Sequence, residues 1–154
     1  MANGTVYVGN MDGTVYVGAT NTRTGYIYAL SASNGTRQWT FAANSQYGPS
    51  VTAAGDTILI GQTHNFIYAL SAATGDEQWR YIQSAWLEAE MVVAGETVYV
   101  ASGDGRVYGL DLTEGTRQWF FQTGDWVRAA PAVVDGTVYV GSYDDNVYAL
   151  TEPQ

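Results

Sequence analysis

The chain has no cysteine and no lysine. The first absence excludes disulfides and thiolate metal centres and leaves the redox compartment open. The second leaves six arginines to face fifteen aspartates and glutamates, for a formal net charge of −9. A field of that sign repels phosphate backbones, so nucleic acid is not an expected partner. Two readings of the charge stay open: a surface like those of proteins adapted to high salt, or an ordinary solubilising acidic surface. Proline is scarce, three residues against eighteen glycines, which points to many tight turns rather than a linker. No apolar run approaches the roughly 18 residues of a membrane helix, so no span is expected. No basic segment precedes an apolar one; no signal peptide is visible, and the compartment stays open between a cytoplasmic chain and a trimmed one. The single histidine, His64 in "QTHNF", has no cysteine or histidine at metal-ligand spacing, and no Ser-His-Asp constellation can be argued around it. It reads as a solvated loop residue.

What is present is apolar and repetitive. Hydrophobic residues make up 46% of the 154 and aromatics 14%, enough for one domain with a sizeable core. The phrase "GTVYVG" occurs at Gly4, Gly13 and Gly136. Gln-Trp pairs end at Trp39, Trp79 and Trp119, 40 residues apart. "IYAL" and its variants end at Leu30, Leu70, Leu110 and Leu150, again 40 apart. The phrases beginning at Thr14, Thr57, Thr97 and Thr137 are spaced 43, 40 and 40, the extra three residues falling in the polar loop "ATNTRTG".

Each unit reads as four short strands, β-branched and aromatic, separated by turn residues. Asp-Gly at Asp12, Asp104 and Asp135 fits hairpin connections. In "TVYV" and "VYAL" both alternating faces are apolar, as in sheets covered on both sides. A period near 40 with four strands is the pattern of a β-propeller blade. The expectation is an all-β, single propeller domain over 1–154, with blades at about 4–44, 45–84, 85–124 and 125–154, the last lacking its fourth strand. The first "GTVYVG", Gly4–Gly9, is either the innermost strand of the first blade or a clasp that completes the last.

"ALSASNGTRQW" (Ala29–Trp39), "ALSAATGDEQW" (Ala69–Trp79) and "GLDLTEGTRQW" (Gly109–Trp119) resemble the pyrroloquinoline quinone (PQQ) repeat. The likeness covers almost the whole chain. It departs where the family's Asp is Ser31 and Ser71, kept only as Asp111, and where its Thr is Asn34 and Glu114, kept as Thr74. The resemblance implies that Trp39, Trp79 and Trp119, with Gly35, Gly75 and Gly115, pack between blades and do no chemistry. Members of the family include quinone-dependent dehydrogenases and outer-membrane assembly scaffolds, often periplasmic or extracellular, with seven or eight blades. Family dehydrogenases place a vicinal disulfide beside the cofactor and are several times longer, so no PQQ cofactor is expected. Four units would make half of an eight-bladed ring, closed by a head-to-tail homodimer; a compact four-bladed monomer is the rival.

Two loops remain as candidate sites. "SYDDN", Ser142–Asn146, offers Asp144, Asp145 and Asn146 as calcium oxygens, but lacks calcium-loop spacing and reads better as a turn; no metal is expected. Before the innermost strands, "QSAWLEAEMV" aligns with "GDWVRAAPAV", and "SQYGPSV" with both. Tyr47, Trp86, Glu88, Glu90, Trp126 and Arg128 would gather at the channel mouth as a surface for a protein or peptide. Alternatively, Trp86 and Trp126 pack between blades and Glu88 pairs with Arg128. The function expected is a non-catalytic scaffold. The alternatives are a fragment of a PQQ- and calcium-dependent dehydrogenase, or an amplified or designed array without a ligand, since "GTRQWTF" and "GTRQWFF" differ at one position.

Overall fold

The computed structural model describes residues 6–9, 14–20, 25–43, 50–63, 65–83, 85, 87 and 91–151. Fifteen strands make up the regular structure of those residues, in four antiparallel sheets. The chain divides into two compact units, Met1–Ile82 and Gln83–Gln154, each holding two sheets.

In the first unit, sheet one runs β1 (Val6–Gly9), β2 (Thr14–Thr20), β3 (Gly25–Ser31) and β4 (Arg37–Ala42), in that order across the sheet. The first "TVYVG" phrase therefore ends in the leading strand of sheet one, paired with β2 from Val6↔Gly18 to Gly9↔Val15. Sheet two is β5 (Ser50–Ala54), β6 (Thr57–Thr63), β7 (Phe66–Ser71) and β8 (Glu77–Ile82). One face of sheet one, carrying Ile27, Ala29, Trp39 and Phe41, packs on Val51, Ile58, Ile60, Tyr68 and Leu70 of sheet two. Ile27, Ile58, Ile60 and Leu70 are wholly buried. Removing each such side chain from water contributes about 1.5–3 kcal/mol.

The second unit repeats this pattern. Sheet three is β9 (Val92–Ala94), β10 (Thr97–Ala101), β11 (Arg106–Asp111) and β12 (Arg117–Gln122); sheet four is β13 (Ala132–Val134), β14 (Thr137–Gly141) and β15 (Val147–Thr151). Tyr99, Ala101, Val107 and Trp119 of sheet three pack on Val138, Val140, Tyr148 and Leu150 of sheet four. Phe41 meets Tyr68 with ring centroids 5.3 Å apart; two repeats on, Phe121 meets Tyr148 at the same 5.3 Å. Asp135 and Gly136 both take positive φ, 49° and 73°, which is the two-residue hairpin that Asp-Gly favours. Among the described residues sheet four has three strands.

Candidate functional site

The Gln-Trp tryptophans lie on the fourth strands. Trp39 donates from Nε1 to the carbonyl oxygen of Ala72, 2.9 Å away, across the seam between sheets one and two. Its ring lies where a Cβ on Gly75 would fall, 2.7 Å from that position. Gly75 has φ +76°, which a side chain resists. Trp79 is buried on β8. Trp119 packs against Gly109, its register partner on β11, where a Cβ would meet the ring at 2.3 Å, with Tyr99 6.0 Å away. Its Nε1 is buried with no acceptor among the described residues. Gly35 and Gly115 both have φ +69°; Gly35 is open to solvent, and Gly115 is buried.

Of the six proposed rim residues, Tyr47, Trp86, Glu88 and Glu90 lie outside the described residues, as does His64. Trp126 and Arg128 come together. The Arg128 guanidinium carbon sits 4.7 Å from the centre of the Trp126 ring and 5.4 Å from that of Tyr143. The two rings are 6.5 Å apart, and both are exposed. Tyr143, which the spacing of the innermost strands did not suggest, is thus a third member.

The backbone beneath this group is pinned. The Thr123 amide donates to Gly105 O at 2.8 Å, and Tyr143 N to Trp126 O at 2.9 Å. Thr123 Oγ1 lies 2.8 Å from Gly105 O and 2.5 Å from Asp125 O, and Ser142 Oγ donates to Asp125 O at 3.1 Å. Segment 123–127 is therefore held between the 102–105 turn of sheet three and the 142–146 turn of sheet four. Arginine over aromatic faces contributes about 0.5–1 kcal/mol at an exposed site.

Asp144 belongs to the scaffold of this site. One carboxylate oxygen accepts from the Tyr148 hydroxyl at 2.6 Å and the Gly124 amide at 2.7 Å; the other accepts from the Asn146 amide at 3.1 Å. The Tyr148 hydroxyl, followed by these amides and Ser142, holds the Asp144 carboxyl down to about 2 despite some desolvation, and the Tyr148 phenol is pushed up in return. Forty residues earlier, Asp104 accepts from Tyr108 at 2.5 Å and from Arg106 N at 3.1 Å. The comparison of these loops by calcium-ligand pattern missed this. The repeated element is one Asp with a Tyr four residues on, and it closes the β10–β11 and β14–β15 turns. Among the described residues no three His, Cys, Asp or Glu gather as a metal site, and no helix is long and apolar enough to cross a membrane.

Comparisons place this geometry among known proteins. The model of the family described as outer membrane protein assembly factor BamB matches residues 23–151. BamB from Moraxella catarrhalis superposes with a TM-score of 0.78 at 22% identity, over 91% of this chain and 47% of that one. The computationally designed protein Ika4 superposes with a TM-score of 0.77 at 17% identity, over 90% of this chain and 85% of its own. The quinohemoprotein alcohol dehydrogenase of Comamonas testosteroni gives 0.68 at 18% identity, over 85% of this chain and 28% of that one. The chain thus spans about half the length of the BamB structure it matches. No curated protein matches it by sequence.

Proposed function

Because the chain belongs to the family described as outer membrane protein assembly factor BamB, we propose that it is a non-catalytic propeller scaffold that holds a protein or peptide segment at the mouth of its channel. In this reading the whole of 1–154 is one propeller domain, and its working form is a homodimer. The Trp126–Arg128–Tyr143 group carries the reading: two exposed rings and a guanidinium on a backbone pinned from both sides are a preorganised anchor for an extended segment. Tyr47, Trp86, Glu88 and Glu90, from the corresponding segments, would complete the rim. Trp39, Trp79 and Trp119 serve packing. The likeness to a dehydrogenase supports a shared fold and no cofactor chemistry, and the oxygens of Asp144 already serve Tyr148, Gly124 and Asn146.

The test is selection from a random displayed-peptide library on the immobilised chain, followed by titration of the enriched peptides. Trp126→Ala and Arg128→Ala should each weaken binding roughly thirtyfold, the effect of a hot-spot residue, with the melting temperature lowered by only about 2–4 °C because both side chains are exposed and their stacking contributes little. Failure to enrich any peptide, or variants that bind like the parent, would overturn the reading. Saturable calorimetric binding of PQQ with calcium would instead support the dehydrogenase fragment.

A further inference from the structure

The two faces of sheet four have different fates. Val138, Val140, Tyr148 and Leu150 cover sheet three. On the opposite face, Val147 is 78% exposed and Tyr139 44%, beside exposed Val134. The same positions one repeat earlier, Val107 and Tyr99, are 0% and 3% exposed. Register matches as well: Tyr139 pairs with Ala149 and Gly141 with Val147, as Tyr99 pairs with Gly109 and Ala101 with Val107. The exposed face of sheet four is thus a copy of the face that sheet four itself covers on sheet three.

The cover for such a face is written elsewhere in the chain. In sheet four it consists of Val138 paired with Leu150 and Val140 paired with Tyr148. In sheet one the same four residue types stand in the same register, Val15 paired with Leu30 and Val17 with Tyr28. Tyr28 and Leu30 are half-buried, whereas Tyr68, Leu70, Tyr108 and Leu110 at the same places in sheets two and three are buried. We propose that the exposed face of sheet four receives the face of sheet one that carries Tyr28 and Leu30 from a second copy of this chain, and that two such seams close a head-to-tail dimer. The inference rests on the scaffold reading for its purpose. The seam itself rests on the repeated faces and on their exposure in the single chain. A flat apolar face that recurs in every unit needs a sheet of the same kind to exclude water from it.

Light scattering after size exclusion should give twice the chain mass of 16.6 kDa. Val147→Glu, at an exposed position, should return the monomer with its far-ultraviolet dichroism unchanged. Tyr28→Glu should also return the monomer. A mixture of the two variants should recover dimer, because the pair keeps one intact seam: sheet four of the Tyr28→Glu chain on sheet one of the Val147→Glu chain. A monomeric parent chain at all concentrations overturns the proposal. So does a Tyr28→Glu protein that stays dimeric while Val147→Glu does not, since the face opposite sheet four would then not be sheet one. Trp126→Ala should leave the mass at the dimer value. A dimer that takes up no peptide would sink the binding function and leave the seam standing; a parent monomer that takes up peptide would do the reverse.

Discussion

Trp39 and Trp119 occupy the same place two repeats apart, and the chain treats them differently. Trp39 reaches across to sheet two, gives its indole hydrogen to Ala72 and lies over Gly75. Trp119 lies back over Gly109 of its own sheet, its indole hydrogen buried without an acceptor among the described residues. Two local differences accompany the change. The residue paired with the tryptophan is Ala29 in the first case and Gly109 in the second, where an added Cβ would meet the ring at 2.3 Å. The acceptor for Trp39 is the Ala72 carbonyl in the turn after β7; the position two repeats on, Glu152, lies outside the described residues. The motif recurs, and the contact its tryptophan makes differs with the residue it pairs with.

Substitutions can widen or close this contrast. The largest effect is expected at Gly75. An added methyl would meet the Trp39 ring at 2.7 Å and would take φ +76°, so Gly75→Ala should cost about 3 kcal/mol. Gly35→Ala, at φ +69° with open space around it, should cost only about 1 kcal/mol, the backbone part alone. Urea unfolding of the two variants separates steric from backbone cost, and equal losses would show that the indole does not rest on Gly75.

A smaller effect is expected from trimming the indoles. Trp39→Phe loses the bond to Ala72, whereas Trp119→Phe removes a buried indole hydrogen that has no acceptor among the described residues. The ring-size change is common to both, so the first should be more destabilising by about 1–3 kcal/mol. Equal losses would mean that Trp119 finds an acceptor.

The smallest effect concerns pH. The Asp144 carboxyl is held down to about 2, below its usual range. The charged form is therefore favoured by folding, and its contribution is present above pH about 4 and lost as the pH falls toward 2. Tyr148 moves the other way: its neutral form donates to Asp144, so that contribution holds below pH about 10 and is lost above it. Asp144→Asn should flatten the acid limb of a melting-temperature profile in the second unit. An unchanged limb would mean that the Asp144–Tyr148 bond does not form in solution.

Much of this was legible in the chain. Strand identity, the four units and the hairpin at Asp135-Gly136 all follow from a period of 40 and from β-branched runs between glycines. The candidate site was less legible. Trp126 and Arg128 could be picked out as variable residues in a corresponding segment, but Tyr143 comes from a different hairpin, 15 residues beyond Arg128. It joins them because Ser142 Oγ and the Tyr143 amide tie its loop to the carbonyls of Asp125 and Trp126. Asp104 and Asp144 were visible as 40-spaced residues. Their role was not, because a search for calcium oxygens looks at neighbours in the loop and not at a tyrosine four positions on.

The sequence by itself determined which residues form strands and which faces of those strands are apolar, because local sterics and the alternation of side chains act over a few residues. Only the tertiary structure decided which copy of a repeated face is covered and which is left bare, where each indole finds or lacks its acceptor, and which side chains from separate hairpins meet. Identical repeats carry identical instructions. What distinguishes them is the neighbour each one meets, and burial and hydrogen bonding are properties of that pair.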